Sequence, residues 1–222
     1  MDEQALWLTL RLAATTTVVL LAIAVPVAWW ISIGRGWGRA TVQALVALPL
    51  VLPPTVIGFY LLVGLGPLTG VGRAVERVLG HPLAFSFAGL LAGSVIYSLP
   101  FAVQPLVAGF RGVEREYGEA AAGIGMTPLR TFAEVVLPMA RGSLAAAAVL
   151  TFTHTVGEFG VVLMVGGNIP GVTRTMALVL FDQVQDFDYA AANRTAGVLV
   201  LVAMVGLLGV YGRWMRRGFD GG

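Results

Sequence analysis

The sequence predicts an all-α polytopic membrane protein of five to six transmembrane helices, organised as one domain over residues 1–222 with a cytoplasmic helical hairpin. Hydrophobic residues make up 57% of the chain, charged residues make up 12%, and the mean hydropathy is +0.84. That composition leaves too little polar surface to cover a water-soluble domain. The apolar runs are long enough to cross a hydrocarbon core of about 30 Å. All fourteen basic residues are arginines, most of them near the ends of those runs.

The first two spans are predicted at residues 5–33 and 40–65. Acidic residues and no basic residue precede the first run, so we expect a retained span and not a cleaved signal peptide. The second run contains Pro53, Pro54 and Gly58. Proline frees backbone carbonyls, which membranes tolerate only where the break is buried in protein or lines a cavity. The sequence therefore predicts a broken second span, followed by a polar connection with room for a short surface helix.

The remaining spans are predicted at residues 84–110, 143–165 and 195–214, and the third again carries internal prolines, at positions 100 and 105. A hairpin at 111–141 separates the third span from the fourth, and a polar segment at 166–194 separates the fourth from the fifth. Within that segment an apolar stripe with helical spacing predicts an amphipathic helix, either on the surface or as a short sixth span. The stripe consists of Met176, Val179, Leu180, Val184 and Phe187.

The arginines orient the chain, because positively charged connections stay on the cytoplasmic side. One side would carry Arg35, Arg39, Arg111, Arg115, Arg130, Arg141, Arg213, Arg216 and Arg217. The other side would carry Arg73, Arg77, Arg174 and Arg194, diluted by acidic residues. The N-terminus is therefore predicted outside, and the C-terminus and the hairpin in the cytoplasm.

The hairpin is predicted from its own capping residues. Good helix formers run from Arg111 to Ile124, and Gly125 stands where a helix needs a left-handed stop. Thr127 followed by Pro128 is typical of an N-cap and a first helical position. Two short helices joined by a turn are expected, with a smooth apolar side formed by Ala120, Ala121, Ala122 and Ile124. That side suits docking of a partner.

Several chemistries are excluded by composition. A Walker-type phosphate loop requires a lysine, and the chain has none. Cysteine is absent, only two histidines occur, and no HExxH or GxSxG motif is present. The chain is therefore not expected to be an enzyme, to bind a cofactor or metal, or to hydrolyse ATP by itself.

One ionisable pair lies in the fourth span. His154 and Glu158 are four residues apart, with Thr151 and Thr155 on or beside the same helical stripe. Three interpretations stay open: the pair joins helices by satisfying itself, it marks a pathway, or it supplies two ligands to a metal. Pathway candidates are Pro53, Pro54, Gly58, Thr151, Thr155 and Glu158.

The proline-rich residues 48–54 are either a kinked packing helix or part of a pathway wall, since transporters line routes with discontinuous helices. No arginine is expected near the middle of a span, so an anionic cargo would meet hydroxyls and backbone dipoles only. In the outer segment, Asn168 and Arg174 are the polar pair of interest, although an ordinary loop also explains them.

The hairpin sequence resembles the coupling signature of membrane subunits of type I ABC importers. It has the pattern EAA-x3-G-x9-[IV]-x-LP, with valine where isoleucine is usual, in Glu119, Ala120, Ala121, Gly125, Val135, Leu137 and Pro138. The resemblance extends to residues 48–62, 157–160 and 167–178, which are similar to the molybdate permease branch, with sulfate permeases as near relatives.

That resemblance implies an inner-membrane permease that forms a homodimer and moves molybdate by alternating access. Two cytoplasmic ATPase subunits would bind ATP and magnesium and grip the hairpins, and an extracytoplasmic binding protein would deliver the oxyanion. Tungstate and sulfate are alternative cargoes. An ion-coupled secondary transporter is the alternative of another class, but no internal repeat is evident. A structural scaffold is the third, but it would not need proline breaks in spans two and three.

Overall fold

The computed structural model describes residues 2–66 and 69–219, and over these residues all regular secondary structure is helical, as predicted. Side chains of residue 79 and residues 210–219, among them Arg213, Arg216 and Arg217, lie outside the described part. The α-helices are α1 (Glu3–Ser32), α2 (Trp37–Ala47), α3 (Pro54–Gly64), α4 (Gly70–Leu79), α5 (Phe87–Gly123), α6 (Pro128–Thr131), α7 (Leu137–Met139), α8 (Arg141–Val156), α9 (Gly160–Gly166), α10 (Met176–Gln185) and α11 (Tyr189–Phe219). A 3-10 turn (Leu48–Leu50) follows α2, and a π-helical turn (Phe132–Val136) joins α6 to α7.

Three described helices are long and apolar enough to cross a membrane: α1, α5 and the Tyr189–Gly209 part of α11. Two further crossings are possible if each of two bent helix pairs is one span. The pair Trp37–Leu50 and Pro54–Gly64 bends by 109°, and the pair Pro128–Met139 and Arg141–Val156 bends by 70°. The first of these bends lies within the second predicted span, where a break was expected.

Helices α1, α5 and α8 form the centre of the bundle. Small residues at their contacts, including Ala24, Ala28, Ala102 and Ala147, are fully buried. In lipid, small side chains let helix backbones approach closely, and van der Waals packing then holds the helices together. Larger side chains such as Leu20 fill the same core cluster.

Helix α5 corrects two expectations. It continues through Pro100 and Pro105, so the proline break predicted in the third span is wrong. It also continues past the predicted end at residue 110 to Gly123, so a separate helix beginning at Arg111 is wrong too. Packing against α1 and α8 holds the helix together where local propensity alone favours a break. The fourth predicted span is instead interrupted, at residues 157–159 between α8 and α9.

The outer polar segment contains a short helix, α10, but the predicted buried stripe is only partly correct. Met176 and Val179 are buried, whereas Val184 and Phe187 are 45% and 77% exposed. The first turn of α10 is buried on all sides because it inserts beside α1, where the Met176 backbone N–H donates to Thr9 Oγ1 at 2.9 Å. Ten residues rise only about 15 Å, which is too short for a sixth span.

Candidate functional site

The hairpin that was predicted in the cytoplasm turns through a Schellman motif at the end of α5. Gly125 has φ of +78°, and its N–H donates to the Ala122 carbonyl at 3.0 Å. The N–H of Met126 donates to the Ala121 carbonyl, also at 3.0 Å. Thr127 then caps α6 by accepting from the Arg130 N–H at 3.4 Å. The predicted stop at Gly125 and restart at Thr127 are therefore confirmed, because both are local capping signals.

Phe132 fixes the second arm of the hairpin to the membrane helices. Its ring lies 4.6 Å from the ring of Trp29 near the end of α1, and 5.6 Å from the perpendicular ring of Phe110 in α5. Val136, four residues later, is 1% exposed in the same core cluster. The hairpin is therefore clamped to the ends of two spans. Sequence reasoning missed Phe132, although an aromatic and an aliphatic residue at i and i+4 indicate a buried face.

The signature residues divide between two faces of the hairpin. Ala121 is buried, and Val135 and Leu137 are half-buried against the spans, whereas Glu119, Ala120, Gly125 and Pro138 are exposed. The smooth side predicted from Ala120 to Ile124 is therefore split by the burial of Ala121. The exposed face instead presents Ile124 and Leu129, which are 79% and 67% exposed. Arg130 and Glu134 pair beside them at 3.0 Å. This surface is small, apolar and rimmed by charge, which suits protein docking.

Two interrupted spans meet at the second candidate site. Helices α3 and α9 run parallel and so close that a Cβ on Gly58 would lie 2.7 Å from Met164 Cβ, and one on Gly160 would lie 2.7 Å from Pro54 Cβ. The breaks at residues 51–53 and 157–159 precede these helices directly. The structure therefore brings predicted pathway residues Pro53, Pro54 and Gly58 beside the segment that contains Glu158.

Of the three interpretations of His154 and Glu158, the one in which they pair with each other is wrong. The Nδ1 atom of His154 is 2.9 Å from Ser98 Oγ, and Ser98 also hydrogen-bonds Thr155 at 3.1 Å. The imidazole stacks on Phe101 at 3.9 Å. Because α8 ends at Val156, Glu158 leaves the helical stripe on which the pairing depended. The histidine instead joins α8 to α5.

Glu158 is buried beside the hydroxyl of Ser94 on α5. It is 3% exposed, and neither carboxylate oxygen is hydrogen-bonded within the described part of the chain. Ser94 on α5 faces it, and the buried hydroxyls of Ser94 and Thr151 also lack described partners. Thr151, Thr155 and Glu158 are thus all buried in the single chain, beside the break and not on an open route. Among the described residues, no group of three potential ligands could hold a metal.

The outer pair Asn168 and Arg174 converges on Asp182 of α10. Asn168 Nδ2 donates to Asp182 Oδ2 at 3.0 Å, and Arg174 Nη2 donates to the same oxygen at 2.7 Å. The loop between α9 and α10 is thereby fastened across its ends, with Gly167 and Asn168 both at positive φ. Neither interpretation of the pair from sequence included Asp182, because the acid is eight residues beyond Arg174.

Arg11 is an arginine within the first span, but it lies towards the N-terminal end of α1 and not near its middle, so it does not contradict the expectation. It lies eight residues after the start of α1, about 12 Å along the helix axis. Its side chain is exposed, and its guanidinium carbon lies 4.3 Å from the centre of the Phe87 ring. One fixed positive charge is therefore held by a cation–π contact in the outer part of the bundle, given the predicted orientation.

A bundle of membrane helices with two interrupted spans, clamped to an exposed helical hairpin, defines a transport permease and not a soluble enzyme. Residues 24–221 match the family described as the binding-protein-dependent transport system inner membrane component. The chain belongs to this family and is a multi-pass inner-membrane component of an ABC importer.

Three relatives are similar over most of the chain. The molybdenum transport system permease protein ModB of Azotobacter vinelandii is 49% identical over 95% of this chain and 93% of that protein. ModB of Mycobacterium tuberculosis is 36% identical over 96% and 80%. The sulfate transport system permease protein CysT of Salmonella typhimurium is 32% identical over 82% and 66%. A crystal structure of a bacterial ABC transporter that imports alginate shares the fold, with a TM-score of 0.73 at 19% identity, over 97% of this chain and 80% of that one.

Proposed function

We propose that this chain is the membrane-spanning subunit of an importer for molybdate. The observation that carries the cargo is the 49% identity to a molybdenum permease, which extends over 95% of the chain. The polar groups inside the described bundle are consistent with an oxyanion cargo, since they include buried hydroxyls and the backbone groups at helix breaks. Such a route lets an oxyanion pass without a deep electrostatic trap.

The working unit would be a homodimer of permease chains with two cytoplasmic ATPase subunits and an extracytoplasmic binding protein. ATP and magnesium would be held by the ATPase subunits, since this chain contains no lysine for a Walker loop. The N-terminus would lie outside and the C-terminus inside. Ile124 and Leu129 on the exposed hairpin face supply apolar contact for an ATPase surface, and Glu119 supplies a charge at its edge.

Transport would proceed by alternating access, with the hairpin as the moving part. Closure of the ATPase pair on ATP displaces both hairpins, and the clamp of Phe132 between Trp29 and Phe110 transmits that displacement to α1 and α5. ATP thus acts as a ligand that shifts a two-state equilibrium by binding one state more tightly. The paired breaks before α3 and α9 give the bundle a place to bend.

Reconstitution of the chain with its ATPase and binding protein tests the proposal. ATP hydrolysis in proteoliposomes is measured with molybdate, tungstate or sulfate on the binding protein. Stimulation by molybdate above sulfate is expected, whereas equal or sulfate-dominant stimulation would overturn the cargo. Uptake driven by a proton gradient without ATP would instead support a secondary transporter.

A charge reversal tests the coupling surface separately. We expect Glu119→Lys to insert normally and to separate ATP hydrolysis from uptake, because it changes only an exposed side chain on the docking face. Glu3→Lys, an exposed reversal at the other end of the bundle, is the matched control. Full uptake by the Glu119 variant would remove this residue from the coupling surface.

A further inference from the structure

A cavity of about 890 Å³ opens where α1 ends and α5 leaves the bundle. On one side it is bounded by the last turn of α1 and the loop that follows. The other side is the surface of α5 three turns before the hairpin. Its walls are Ser32, Ile33, Gly34, Arg35, Arg111, Gly112, Glu114 and Arg115. This cavity has no part in the transport scheme above, and nothing inferred about it rests on the identity of the cargo.

The cavity wall is positively charged. Three arginines against one glutamate leave two net positive charges. Within the described part of the chain, none of the three arginines forms an ion pair, and Arg111 only donates to Gln43 Oε1 at 3.2 Å. The side chain of Glu114 extends along α5 towards Gly118, and its Oε1 is 3.0 Å from the place that a Cβ on Gly118 would occupy. Three guanidinium groups on one cavity wall, none of them in an ion pair among the described residues, favour an anion.

The neighbouring Arg39 behaves differently. Its Nε donates to the Trp30 carbonyl at 2.8 Å, and its guanidinium carbon lies 5.3 Å from the Trp30 ring centre. A side chain at Gly34 would collide with this guanidinium, so the glycine makes room for it. Arg39 is thus occupied by backbone and ring, whereas among the cavity arginines only Arg111 donates a described hydrogen bond, from Nη2 to Gln43.

The cavity lies at the level of lipid headgroups. Arg111 is 24 residues beyond the start of α5 at Phe87, a rise of about 36 Å, slightly more than the ~30 Å hydrocarbon thickness. Exposed tryptophans, 42% at Trp30 and 91% at Trp37, stand at the same end of the bundle. Tryptophan belts mark the interface between hydrocarbon and water.

We propose that this cavity binds a tetrahedral oxyanion supplied by the headgroup phosphate of an anionic phospholipid. Arginine forks bind phosphate oxygens in pairs, and basic pockets between membrane helices on the cytoplasmic side suit anionic headgroups. Arg115 is one turn from Glu119 on the unbroken α5, so a bound headgroup touches the same rigid helix as the hairpin. A free oxyanion in the cytoplasm shares this chemistry and is the other possible source.

Lipid selectivity of the complete transporter tests the site. The permease and its ATPase subunits are purified together and reconstituted with spin-labelled phosphatidylglycerol or phosphatidylcholine, and the relative association constants are measured by electron spin resonance. The wild type should prefer phosphatidylglycerol. Each of Arg35→Gln, Arg111→Gln and Arg115→Gln should lower that preference roughly fivefold, equivalent to ~1 kcal/mol per arginine near the surface.

Two further variants test whether the change in lipid preference depends on the cavity and not on the loss of any arginine. Arg141→Gln, an arginine outside the cavity and predicted on the same membrane side, should keep the wild-type preference, whereas Glu114→Gln should strengthen it. Copurification of the ATPase shows that each variant is folded.

The outcomes separate the site from its alternatives. Wild-type preference in the triple arginine variant, or an equal loss in Arg141→Gln, would overturn the proposal. If the wild type showed no preference for phosphatidylglycerol but bound molybdate in the cavity, and the triple variant lost that binding, the lipid source would be overturned and the site would be assigned to a free oxyanion. Failure of molybdate-stimulated ATP hydrolysis would leave the lipid measurement unaffected.

Discussion

Gly58→Ala is expected to destabilise the permease, because the glycine lets α3 approach α9. The added Cβ would lie 2.7 Å from Met164 Cβ and 3.2 Å from Val161 Cα, whereas ordinary carbon contacts are about 3.5–4.0 Å. To restore an ordinary contact distance, the two helices must move apart by about 1 Å. Overpacking of this kind typically costs about 1–3 kcal/mol. Backbone atoms form part of the obstacle, so a rotamer change alone cannot remove it.

The assay is thermal unfolding of the purified transporter in one detergent, followed by uptake in proteoliposomes. A loss of this size should lower the melting temperature by roughly 2–12 °C in a chain of this length. Gly64→Ala is the matched control on the same helix, because no atom lies within 4 Å of its added Cβ. Gly160→Ala meets Pro54 on the same contact and should resemble Gly58→Ala. If the Gly58→Ala variant had the same melting temperature as the Gly64→Ala control, the close contact of α3 with α9 would be refuted.

Three other predictions concern the hairpin and the outer loop. Gly125→Val should reduce coupling of ATP hydrolysis to uptake, because a left-handed backbone costs about 1–2 kcal/mol in a residue other than glycine. The control Gly123→Val, where the backbone is helical and an added Cβ meets no atom within 4 Å, should behave nearly as wild type. Equal ATPase coupling in the two variants would contradict this. Phe132→Ala should lower the free energy of unfolding by about 3 kcal/mol or more, as large-to-small changes at aromatic contacts do, and it should also weaken ATPase stimulation. Unchanged stimulation at reduced stability would show that the contact of Phe132 with Trp29 and Phe110 does not transmit movement. Asp182→Asn should speed amide hydrogen exchange in the outer loop, because it removes the 2.7 Å ion pair with Arg174, worth about 1 kcal/mol at this partial exposure. Unchanged exchange would mean that contacts other than this ion pair hold the loop.

Local signals predicted the hairpin turn well, because its geometry is decided by residues next to one another. Gly125 and Thr127 each act through their own backbone, and the structure places both as the sequence indicates. The same reasoning failed at Pro100, where continuity of α5 depends on neighbouring helices that no local pattern contains. The helical spacing of His154 and Glu158 was equally local, but the helix ends between them. Tertiary packing decided the first case, whereas in the second the helix ends at a C-cap glycine, Gly157.

The candidate site was only partly predictable for a related reason. Prolines and glycines marked the break in the second span, but the break in the fourth lies beside a close contact across helices, with Gly160 against Pro54 and Gly58 against Met164. The clamp on Phe132 likewise joins residues from three separate segments. Such contacts are visible only once the segments are placed together.

The continuity of α5 restricts how the proposed transport cycle can work. Ser98, which holds His154 near the end of α8, and Glu119, on the hairpin, are 21 residues apart on one unbroken helix, a separation of about 32 Å. A rigid helix of this length moves both ends together, so a displacement of the hairpin also moves the partner of α8. The interruptions beside this contact are the breaks that precede α3 and α9, and the first of them bends the chain by 109°. Bending should therefore concentrate there, because hinges are loop or element-terminal residues that absorb the change in backbone angles.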